Sequence, residues 1–107
     1  MPDLMEMMKQ ARELQERLET LQREVAAMEV EGSAGGGLVR VTVDGKGGLK
    51  IVNIDPSVVN PDEVEILEDL IVAAVSEARG KAESAAQAKM QELAGGLPLP
   101  PGFTLPT

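Results

Sequence analysis

The side chains that most often perform chemistry are missing from this 107-residue chain. It holds no histidine and no cysteine. That removes the usual general base at neutral pH, the thiol nucleophile, disulfides and the commonest soft metal ligands. Ser33, Ser57, Ser76 and Ser84 have no imidazole to take their protons. Gly32 and Gly37 open the spacing of a phosphate-cradling loop, GxxxxGK[ST], but Leu38 and Val39 stand where its lysine and hydroxyl belong. A strand pattern also follows where a helix N-terminus is needed, so the run reads as a connector between strands. Five acids lie between Asp62 and Asp69 with no base among them. Acids favour a helix N-terminus, and without histidine or a glycine-bearing calcium loop they argue poorly for a metal. No catalytic residue, metal ligand or cofactor is assigned.

The cations remain. The formal charge is −8, which opposes generic attraction to a polyanion. The acidity is uneven, with residues 61–94 carrying eight acids against three bases. Beyond Val72 the balance is even, Arg79, Lys81 and Lys89 facing Glu77, Glu83 and Glu92. Near the start, Lys9, Arg12 and Arg23 fall within about 60° of one another on a helical projection, with Arg17 further round. The plain reading is a solvated helix laced by i,i+4 pairs such as Glu13 with Arg17 and Glu19 with Arg23. Composition alone does not point to DNA.

The elements that would position these residues are legible from periodicity. Leu4, Met7, Ala11, Leu14, Leu18, Leu21, Val25 and Met28 alternate spacings of three and four. That 3.5-residue period predicts a helix from Asp3, its N-cap, to about Ala26, roughly 36 Å long and packed along its length on another helix. Met5 and Met8 are expected to widen that apolar face. "MEVEG", "LVRVTVDG" and "LKIVNID" alternate as strands, with "DGKGG" a hairpin turn, predicting a three-stranded antiparallel meander. Asn60 as N-cap, Pro61 at the first helical position and Glu63 in a capping box start a second long helix. Gly80 is a candidate break in it. The fold class is α+β, with a domain over residues 1–94 and a Pro-rich tail over 95–107 that is either a polyproline docking peptide or an arm packed on its own dimer. No apolar run reaches the roughly 20 residues of a membrane span, and "MPDLMEMMKQ" lacks the basic-then-apolar order of a signal peptide. A core with Phe103 as its one aromatic residue is expected to need a second subunit.

Several stretches resemble the YbaB/EbfC family of bacterial nucleoid-associated proteins. They are "LMEMMKQARELQERLETLQREVAAMEVEGSAGGGLVRVTVDG", "IDPSVV", "LEDLIVAAVSEAR" and "LPPGF", together nearly the whole chain. The resemblance implies an intertwined homodimer whose sheets meet at the centre and whose helices project as arms, and a cytoplasmic, nucleoid-bound, non-enzymatic role on duplex DNA. It also implies an association with recombination or repair. Contacts would come from the first and last helices, here Lys9, Arg12, Arg17 and Arg23 with Arg79, Lys81 and Lys89. So few cations imply backbone contacts with little sequence preference and a steep salt dependence. The alternative implied is a dimeric interaction module for a recombination or replication factor.

Overall fold

A computed structural model describes residues 3–95. Helix α1 spans Leu4–Ala27, opened by Asp3, whose carboxylate accepts from the Met5 N–H at 3.2 Å. Its last turn is pinned from outside. Val25 carbonyl oxygen accepts from the Gly45 N–H at 3.0 Å, and a side chain at Gly45 would run into that carbonyl. Only a glycine lets the hairpin close on the helix end here.

Strands β1 (Val30–Ala34), β2 (Val39–Val43) and β3 (Leu49–Ile54) form an antiparallel sheet in the order β1-β2-β3. Helix α2 runs from Val64 to Gly95 and lies across β1 and β2. Alternation puts Val39, Val41 and Val43 on the helix side, where they meet Ala74, Ala78 and Ala82, all no more than 1% exposed. β-Branched side chains on the pleat and alanines on the helix bring the two layers close. Gly32 completes this contact. A Cβ there would lie 2.5 Å from the Ala74 carbonyl oxygen and 2.7 Å from the Ala78 Cβ.

The two edges of the sheet are treated differently. On β1, Lys81 of α2 donates to the Glu31 carbonyl at 3.4 Å while pairing with Glu77 one turn back. A helix side chain therefore occupies that edge. On β3 every residue is exposed. Leu49, Val52 and Ile54 oppose Val43, Val41 and Val39 and so share α2's side of the sheet, beyond the reach of the helix.

The expected order of elements holds, with local corrections. Gly32 belongs to β1 rather than to the connector, which is the turn Gly35–Leu38 with φ positive at Gly35, Gly36 and Gly37. Asn60 caps a separate tight turn, its Oδ1 accepting from the Asp62 N–H at 3.0 Å and its carbonyl from the Glu63 N–H at 2.9 Å. The helix starts three residues later than a cap at Asn60 requires. Gly80 does not break α2, because its neighbours keep their i→i−4 bonds and nothing crowds it. Along α1 only Leu21 of the seam is buried. Met8 adjoins the start of that seam, four residues on from Leu4, whereas Met5 lies about 160° round from the seam's middle. The tail beyond Gly95 lies outside the described residues. With extents of 73 × 23 × 16 Å and a radius of gyration of 20.0 Å, the protomer is far longer than a compact domain, for which about 13 Å is usual.

Candidate nucleic-acid interface

Helix α1 presents four of the seven expected cations. Lys9, Arg12, Arg17 and Arg23 are all exposed. Arg23 donates from Nη2 to Thr20 Oγ1 at 3.2 Å, while the pairs Glu13–Arg17 and Glu19–Arg23 do not form among the described residues. On the helical projection Lys9, Arg12 and Arg23 lie opposite the apolar seam. All three are exposed to solvent.

The three cations of α2 have other duties. Lys81 pairs with Glu77 at 2.9 Å as well as reaching the β1 backbone. Glu77 titrates below the usual carboxylate value, chiefly because it accepts a hydrogen bond from Lys81 and sits in its field. Lys89 pairs with Glu24 of α1 at 3.5 Å. That pair spans a groove of about 500 Å³ between the helices, walled by Glu13, Arg17, Leu21 and Leu93 among others. Arg79 donates from Nε to the Gly47 carbonyl at 3.0 Å, joining α2 to the β2–β3 hairpin. The expected sites therefore separate into an open set on α1 and an engaged set on α2.

Three cations lie outside the expected set, Arg40, Lys46 and Lys50, the last pairing with Glu29 at 3.8 Å. Lys46 on the hairpin shares a hollow of about 330 Å³ with Arg79, Gly47 and Glu83. The hairpin holds its shape because Asp44 Oδ1 accepts from the N–H groups of Lys46 at 2.8 Å and Gly48 at 2.9 Å. Those bonds, Gly48 first, hold the Asp44 carboxyl below its usual value. The D-G turn signal was readable in the sequence, but nothing in it says that residue 79 meets residue 47. Among the described residues no group of acids converges as a metal site, and no helix is long and apolar enough to cross a membrane.

Comparison with known proteins agrees with this geometry. The profile of the YbaB/EbfC DNA-binding family matches residues 1–97. A nucleoid-associated protein of Brucella ovis is 57% identical over 106 residues, covering 99% of each chain. A nucleoid-associated protein of Brucella melitensis biotype 1 is similar at the same 57% over 106 residues. The solved structure of an uncharacterized protein from Helicobacter pylori matches with a TM-score of 0.75 at 18% identity, over 89% of this chain and all of that one, which shows a shared fold.

Proposed function

The chain belongs to the YbaB/EbfC DNA-binding family, and from that premise we propose that it is a nucleoid-associated protein that grips duplex DNA as a homodimer. The observation that carries the reading is the outer face of α1, where Lys9 and Arg12 stand exposed with no ion-pair partner among the described residues. Arg23 extends that surface toward the sheet, while Arg17 lies further round, at the wall of the groove beside α2. Arg79 with Lys46 supplies a second, firmer contact point, since the hairpin fixes the guanidinium. Lys81 and Lys89 serve the fold first and DNA second.

The homodimer rests on β3. Its apolar residues Leu49, Ile51, Val52 and Ile54 are each at least 36% exposed, and its backbone edge is open while that of β1 is occupied. An open apolar edge invites another strand, and a second copy offers a self-complementary one. Two arms then face one duplex, and locally free cations engage phosphates despite the acidic total. Phosphate contacts carry no sequence information, so preference is low and salt dependence steep. Effects on nucleoid organisation, gene expression or repair follow from that binding.

The test is a mobility shift on random duplex across a salt series. Replacing Lys9 and Arg12 by alanine removes up to four phosphate contacts per dimer, flattening the log–log slope by about 3 to 4. An unchanged slope would remove both residues from the interface. Sedimentation of the wild type as one chain of 11.3 kDa would remove the dimer. The alternative, an adaptor for a recombination or replication factor, would show as nuclease-resistant capture of a partner with no duplex shift at low salt.

A further inference from the structure

The apolar seam of α1 is only partly covered. Leu21 is buried, but exposure climbs toward the N-terminus, from 36% at Leu18 and 37% at Leu14 to 52% at Met7 and 70% at Leu4. On the helical projection the face around this seam, from Gln10 through Leu14, Leu18 and Leu4 to Met8, is about 160° wide and carries no charged residue between Leu4 and Ala27. Arg17 and Glu19 lie just outside its margins, and Asp3 at its end is engaged by the Met5 N–H as the cap. An uncharged apolar face has nothing to offer a polyanion. It sheds its water only when another apolar surface lies on it.

Where α2 ends decides which surface is at hand. Lys89 meets Glu24 at 3.5 Å, and Leu93 shares a groove with Leu21 and Arg17, so the two helices run antiparallel. Each step forward along α2 is a step back along α1, which brings Gly95 to about the level of Leu18. From there the sequence continues as GLPLPPGFTLPT, residues 96–107, with Leu97, Leu99, Phe103 and Leu105 and no charged side chain. Proline at 98, 100 and 101 opposes an onward helix. We propose that this segment lies along the uncharged face of its own α1, from Leu18 toward Met7, with its leucines and Phe103 on the seam. The reach is ample. From Leu18 to Met7 is about 17 Å of helix, whereas residues 96–107 as an extended Pro-rich chain span about 37 Å. Attachment at Gly95 holds the segment at an effective concentration of roughly millimolar order, against which a second copy's helix must compete. The segment braces the arm from its apolar side and leaves Lys9 and Arg12 on the far side.

Methionine oxidation by dilute peroxide, followed residue by residue by mass spectrometry on the full-length protein, reads the cover. Met7 lies on the seam and Met5 away from it on the same turns of helix. In the wild type Met7 should oxidise several-fold more slowly than Met5, beyond what exposures of 52% and 77% account for. Replacing Leu97, Leu99, Phe103 and Leu105 together by serine should bring the two rates close, with circular dichroism verifying that the helices persist. Phe103 is the one aromatic residue, so its ring gives a second reading free of overlap. NOEs should join that ring to methyl groups of Met7, Leu14 or Leu18, and should stay within one chain when isotope-labelled and unlabelled protein are mixed. Fast oxidation of Met7 in the wild type would overturn the proposal. Protection of Met7 that survives the serine substitutions would overturn it too, and assign the face to a second copy's helix. NOEs found only between labelled and unlabelled chains would refute the placement on its own α1.

Discussion

Replacing Gly32 by alanine tests how closely α2 lies on the sheet. The added Cβ would sit 2.5 Å from the Ala74 carbonyl oxygen and the Ala78 nitrogen, both backbone atoms that no rotamer change can move. Ordinary contact begins near 3.4 Å, so α2 must retreat by about 0.9 Å. A gap of that size forfeits about a quarter to a half of the dispersion attraction across the layer. The layer affected is the contact of Val39, Val41 and Val43 with Ala74, Ala78 and Ala82. Overpacking of this kind costs about 1–3 kcal/mol. At about 4–8 °C per kcal/mol for a domain of this size, the midpoint should fall by roughly 4 to 24 °C. Thermal melts followed by circular dichroism, at one fixed protein concentration because the proposed dimer couples assembly to folding, would read this directly. A variant melting within about 2 °C of wild type would refute the close approach.

The opposite sign is expected at Gly80, exposed within α2 with nothing near its missing Cβ: alanine there should stabilise by about 1 kcal/mol in the same melt. Asp44, Asp55 and Glu77 all titrate below their usual values, through hydrogen bonds from Gly48, from Ser57 and from Lys81 respectively. Their contribution is therefore complete above the unfolded values of 3.8 and 4.5 and fades as pH falls through the lower folded values. Melting temperature should decline below about pH 4.5, and Asp44→Asn should decline less steeply. Glu77→Ala with Lys81→Ala strips the cover from β1 and should promote strand-edge self-association, read by light scattering against wild type. Val52→Asp buries a charge in the proposed β3 interface and should shift sedimentation toward a single chain, and an unchanged dimer would place the interface elsewhere.

These outcomes separate what each cation does. An acidic protein can engage DNA only if some bases are free of their own acids, and the structure divides them by element. Lys9 and Arg12 face solvent along α1, whereas Lys81 and Lys89 are drawn into pairs with Glu77 and Glu24. Charge counted over the chain obscures that division, because attraction at contact depends on the nearest few groups.

Periodicity by itself determined the order of elements. The 3.5-residue repeat of α1, the alternation in "VRVTV" and the D-G hairpin are local patterns, and local backbone preference answers to local sequence. Family resemblance, too, was carried by contiguous stretches. What only the tertiary structure decided is everything that joins distant residues. It put Gly32 against Ala78, Gly45 against Val25, Arg79 against Gly47 and Lys81 over the β1 edge. It also left β3 and the start of α1 bare, where the seam pattern had promised a packed helix. The physical reason is that a pattern states which face is apolar, but not what covers it. That depends on where another element runs, and α2 lies over β1 and β2, leaving only Leu21 of the α1 seam buried.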